Sequence, residues 1–168
     1  MSMQAAVDND AERRRVEIRA SLERSRLAFH ELIGSLQEAD LQVSRPGTWS
    51  VGEAAIHVVA SIEQTPALIR ALRGGHDHLN LPLSVAEPIK RLYTWWAARG
   101  LTREVLLRRF DVAHRTVLAL LDTLQADELG RGGHAYGEGY WTVEHAFHHQ
   151  RDHVEDHAQQ IRRLLGSS

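Results

Sequence analysis

The chain has 168 residues, 20 Lys+Arg against 22 Asp+Glu, a formal net charge of −2 and 43% hydrophobic residues. These values exclude a disordered or collagen-like chain, and the near balance of charge predicts neither nucleic acid nor an anionic membrane as a partner. Eleven residues are histidine, none is cysteine, and Lys90 is the single lysine. Metal or acid–base chemistry must therefore run through imidazole and carboxylate, with no thiolate from the protein itself.

No apolar run is long enough to span a bilayer. The first fifteen residues lack the apolar segment of a secretory leader, and the absence of cysteine fits a reducing compartment, so a cytoplasmic protein is expected. The length suits one domain over residues 1–168.

In chain order, the first predicted helix runs from about Asp10 to Gln37, with Asp8 or Asn9 as its cap. Ile18, Leu22, Phe29, Leu32, Ile33 and Leu36 form its apolar stripe. A loop with the turn signal Arg45-Pro46-Gly47 follows. Ser50 and Glu53 then have the spacing of a capping box, which opens a second helix that reaches about Arg73 and stops at Gly74-Gly75. Pro66 is expected to bend it.

Residues 76–100 are less regular. Pro82 and Pro88 argue against a central strand, and Glu87–Ala98 has the pattern of a short helix. Its aromatic segment, Tyr93 to Trp96, is either bundle core or a face for a partner. Thr102 caps a third long helix, Arg103 to about Leu124, whose stripe is Leu106, Leu107, Phe110, Val117, Leu118, Leu121 and Leu124. Gly130–Gly139 reads as a loop. Thr142 caps the fourth long helix, which ends at Gly166. Four long helices with one apolar stripe each predict an all-α four-helix bundle.

The last helix holds His145, His148, His149, His153 and His157. At 3.6 residues per turn, His157 falls inside the stripe of Val143, Ala146, Val154, Ile161 and Leu164. His153 lies on its border, His149 and His145 progressively outside, and His148 faces away. A buried polar group without a partner costs roughly 1–3 kcal/mol, so inward histidines need a reason. Histidines four apart are one turn apart and can converge on one metal ion. A third ligand must come from another helix. His57, flanked on its face by the small Ala54 and Ser61, is the candidate; the pair His149/His153 is the alternative register. His114 lies on the third helix's stripe as either a hydrogen-bonded core residue or a pocket residue. His76-Asp77 is an isolated His-Asp dipeptide. Trp49 and Trp141, each just before a cap, read as staples onto the first helical turn.

Two segments resemble the DinB/YfiT-like family of metal-dependent bundle proteins. One is Trp49-Ser50-Val51-Gly52-Glu53 with His57; the other is His153-Val154-Glu155-Asp156-His157 with Gln160-Ile161. The resemblance implies a DinB-like four-helix bundle, a homodimer, and a divalent ion such as zinc or nickel held by the histidine triad His57, His153 and His157. It also implies a small-molecule substrate, because characterised members include transferases and isomerases that use bacterial low-molecular-weight thiols. The thiol would be a cosubstrate activated at the metal. A metal-dependent hydrolase and a non-catalytic metal-binding stress protein are the other readings. Asp156 before His157, and Ala158-Gln159 after it, depart from the family's commoner His-His-Arg-Gly-Gln-Ile ending.

Overall fold

A computed structural model describes residues 3–79 and 82–166. The helices are α1 (Met3–Ser35), α2 (Val51–Arg73), α3 (Leu83–Ala97), α4 (Arg103–Asp122) and α5 (Val143–Leu165). Short 3₁₀ turns occupy Glu38–Gln42 and Glu128–Gly130, and two strands, β1 (Gly132–His134) and β2 (Tyr140–Thr142), form a small antiparallel ladder.

The helix starts follow from side-chain chemistry. Ser50 Oγ accepts from Glu53 N–H at 3.1 Å while the Glu53 carboxylate accepts from Ser50 N–H at 2.7 Å, so two orphan donors of α2 are satisfied reciprocally. Thr102 accepts from Val105 N–H to start α4, and Thr142 accepts from His145 N–H to start α5. Gly166 ends α5 in the left-handed region at φ 75°, which a residue without Cβ adopts freely. The start of one long helix differs from expectation. The first helix begins at Met3, so Asp8 and Asn9 lie within it rather than cap it; no breaker interrupts the run before Asp10. Helix α2 runs through Pro66 to Arg73, the expected end; the proline removes one helical donor in a helix held by packing on both sides.

Each of α1 and α2 packs on both α4 and α5, which makes the four-helix bundle, while α3 packs mainly against α2. The predicted stripes supply the core: Ile18, Phe29 and Ile33 of α1 meet Phe110 and Val117 of α4 and Phe147 and Ile161 of α5, all essentially inaccessible to water. Phe29 and Phe110 stack with ring centroids 4.3 Å apart. Arg14 of α1 donates from Nε to Glu144 of α5 at 2.8 Å. Thr65 of α2 donates to Gln150 of α5 at 2.8 Å across the buried seam between those helices. That seam positions the site, because it carries His57 on one side and His153 and His157 on the other.

Two segments depart from the expected pattern. The glycine-rich loop contains the β1–β2 hairpin, paired Gly133 to Trp141. A Cβ at Gly132 would lie 2.1 Å from the Trp141 carbonyl oxygen, so the strands approach as closely as they do only because residue 132 is glycine. Helix α3 begins at Leu83 rather than Glu87, and its outer side is apolar: Val85, Ile89, Leu92 and Trp96 are exposed, whereas Thr94 faces inward. Trp95 and Trp96 are therefore not bundle core. No helix among the described residues is long and apolar enough to cross a membrane.

Candidate metal centre

Seven residues into the chain after Ser50, His57 projects from α2 toward α5, where His153 and His157 sit one turn apart. The imidazole centroids lie 4.9 Å (His57–His153), 5.0 Å (His57–His157) and 4.6 Å (His153–His157) from one another. One ring nitrogen from each histidine falls within 4.8 Å of the other two. Among the described residues no other group of three His, Asp or Glu side chains converges this way.

Burial holds these rings neutral. The His57 imidazolium is disfavoured mainly by burial, then by the neighbouring His157 and Lys90, and its pKa is pushed down to about 3. Burial pushes His153 to about 2, with His157, His57, His149 and Lys90 adding repulsion. His157 is lowered by burial as well, opposed by its hydrogen bond with Gln160 and by Asp156. Neutral imidazole is the form that ligates a metal. His157 Nδ1 donates to Gln160 Oε1 at 2.7 Å, which leaves Nε2 with a free lone pair, the outer-shell arrangement typical of a ligating histidine. His153 Nε2 is buried and has no hydrogen-bond partner.

Trp49, expected as a staple, instead covers the triad. Its ring is 4.8 Å from His57 edge-on and 5.9 Å from His157 nearly parallel. The residue before the α2 cap thus lies beside the seam that carries the triad. Lys90 of α3 lies over the outer side of the Trp49 indole, 5.8 Å from its centroid. The sequence motifs include Trp49 and Gln160 but assign them no role at the site, and Lys90 lies outside both motifs. Gln160 could have been found, since it is three residues after His157 on the same helix face. Lys90 had only its singularity as a signal.

The other histidines separate by environment. His149 stacks on His153 at 5.5 Å and on Trp141 at 4.5 Å, and burial lowers its pKa, but it is not one of the three that converge. His145 meets the same indole edge-on at 4.7 Å. His148 is half-exposed beside Glu144. His114 is buried between α1 and α4, stacked on Phe110 and 3.4 Å from Glu23, with none of the triad among these partners. Asp77 of the His-Asp dipeptide accepts from the His134 backbone N–H at 2.8 Å, which ties the loop after α2 to the hairpin.

The sequence profile of the DinB superfamily matches residues 21–161. No protein of curated function matches the chain. Three solved structures share its fold. YfiT from Bacillus subtilis, described as a probable metal-dependent hydrolase with an unusual four-helix bundle topology, has a TM-score of 0.69 at 17% identity, covering 92% of this chain and 89% of that one. The colibactin self-resistance protein ClbS, in complex with a dsDNA, has a TM-score of 0.70 at 14% identity, covering 90% and 94%. A protein from Streptococcus pneumoniae has a TM-score of 0.68 at 15% identity, covering 89% and 88%. The ClbS complex corrects the expectation of no nucleic acid. A protein of this fold has been seen with double-stranded DNA, and a net charge near zero does not report how charge is distributed over a surface.

Proposed function

The chain belongs to the DinB superfamily, and from that premise we propose that it is a metal-dependent enzyme whose divalent ion, zinc or nickel, is held by His57, His153 and His157. One observation supports the reading above others: three imidazoles kept neutral by burial bring ring nitrogens within 4.8 Å of one another, and His153 Nε2 is buried without a partner. Such an orphaned nitrogen costs roughly 1–3 kcal/mol unless something binds it. The donor set suits a divalent ion, and three protein ligands leave a position open, as in catalytic rather than structural zinc sites.

When bound, a divalent ion supplies Lewis acidity that lowers the pKa of a thiol or a water molecule. The chain's own residues orient and shield. Gln160 fixes the tautomer of His157, and the Trp49 indole screens the outer faces of His57 and His157 from water. With no cysteine in the sequence, the sulfur nucleophile is a low-molecular-weight thiol that arrives as a cosubstrate. A thiol that loses its proton to solvent at the site would form a sulfur–carbon bond with the second substrate, the displaced electron pair leaving with the departing group or moving onto a conjugated carbonyl oxygen. Hydrolysis is the second reading, favoured by the description of YfiT as a probable metal-dependent hydrolase.

The test is a panel of thiols paired with electrophiles, and of simple esters and amides, against zinc- and nickel-loaded protein. Thiol-dependent consumption of an electrophile that disappears in His57→Ala and His153→Ala is the expected result. Turnover of esters or amides without thiol supports the hydrolase instead. A full metal complement with no turnover across the panel overturns the enzyme reading in favour of a metal-binding protein.

A further inference from the structure

A cleft of about 400 Å³ opens beside the triad between the loop before α2, the middle of α3 and the end of α5. That volume suits a small molecule rather than a macromolecule. Trp49, Glu87, Lys90, Arg91, His157 and Gln160 are among its lining residues, so one triad imidazole borders the cleft.

Resting on the metal site proposed above, we infer that this cleft selects a small molecule bearing a carboxylate, held by Arg91 and Lys90 with its reacting end toward His157. The uncompensated charge in the cleft is positive. Two cations face the cleft against one carboxylate, Glu87, which is already ion-paired to Lys90. No carboxylate pairs with the Arg91 guanidinium among the described residues, and Arg91 is exposed. Gln160 spends its oxygen on His157 Nδ1, so its amide N–H₂ remains to donate. Asp156, the residue beside His157, does not line the cleft. Glu87 and Lys90 offset each other, which leaves Arg91 as the uncompensated charge and the Gln160 amide as a further donor, so the cleft matches an anionic ligand better than a cationic one.

The two cations are suited to different parts of that task. A guanidinium presents a planar fork that matches a carboxylate with two parallel hydrogen bonds. The Lys90 ammonium is a point charge lodged 5.8 Å from the Trp49 ring centre, deeper than Arg91 and against the indole that covers the triad. It is also the only lysine in a chain that otherwise uses arginine for every side-chain cation.

The test uses a matched pair that differs in one charge, N-acetylcysteine and its primary amide, titrated into zinc-loaded protein by calorimetry. Wild type is expected to bind the acid about tenfold more tightly, the range of one charge-assisted contact. Arg91→Gln and Lys90→Gln each reduce that preference severalfold, and the double variant abolishes it. Zinc content and urea midpoint stay at wild-type values, because neither side chain is in the core. Equal binding of acid and amide to wild type, a preference that survives in the double variant, or no binding of either, overturns the inference. If zinc itself is not retained, the triad reading fails; the same pair is then compared on chelator-treated protein by ligand-observed NMR. There the acid must still be preferred, and equal signals overturn the inference on its own terms.

Discussion

Removing the metal should make this protein sensitive to mild acid, and the size of the effect follows from the triad. In the unfolded chain a histidine has a pKa near 6.5, whereas folded His57 and His153 are held at about 3 and about 2. Their folded pKa values are depressed, so the unfolded state takes up protons first. The stability that comes from keeping them neutral is present in full only above pH 6.5, and it is lost as pH falls toward the folded values. At pH 5 both rings are still neutral in the folded state and protonated in the unfolded one. Each then costs about 2 kcal/mol, from 1.5 pH units at 1.36 kcal/mol per unit. Two such groups remove about 4 kcal/mol, a large share of the roughly 5–15 kcal/mol available to a domain. Burial lowers His157, His149 and His114 as well, and these act in the same direction. The assay is urea unfolding of chelator-treated protein at pH 7.5 and pH 5.0. With a slope of about 2 kcal/mol per molar, the midpoint should fall by about 2 M. His153→Gln should recover about half of that pH dependence. A midpoint that does not move between the two pH values, in protein shown to be metal-free, refutes the claim that the triad is buried and neutral.

Ser50→Ala removes one arm of the α2 capping box and should cost about 1 kcal/mol in urea unfolding, because the Glu53 N–H loses its acceptor. Phe110→Ala opens a cavity beside Phe29 and His114 and should cost about 3–5 kcal/mol, while leaving metal uptake intact in protein that remains folded. Gly132→Ala sets a methyl against the Trp141 carbonyl, so the hairpin must open; a loss of about 1–3 kcal/mol and a shift in tryptophan emission are the expected readouts.

The bundle was legible because its helices are long, capped and singly striped, so the 3.6-residue period and the Ser50, Thr102 and Thr142 caps located them without tertiary information. The triad was legible in part. Spacing alone put His153 and His157 near one stripe, but it could not choose between His157 and His149 as the partner of His153, nor show that α2 lies against α5. Adjacency between helices that are distant in sequence is a packing outcome, since every stripe is chemically able to face every other. The contact of Trp49 with the site was hidden for the same reason: its local neighbour in sequence is the first turn of α2, whereas His57 and His157 are its ring neighbours in space. The β1–β2 hairpin was hidden because three-residue strands carry too little alternation to register, and because glycines that permit a close approach look the same in sequence as glycines that permit a loop. The exposed apolar side of α3 was misread in part, since an aromatic-rich helix resembles core whether or not another element covers it.

The central claim is that His57, His153 and His157 together hold one divalent ion. It is tested most directly by elemental analysis of protein purified in the presence of zinc or nickel and desalted. About one ion per chain in wild type and in His149→Ala, and none in His57→Ala or in His153→Ala/His157→Ala, is the predicted result. Equal metal in wild type and the double variant contradicts it.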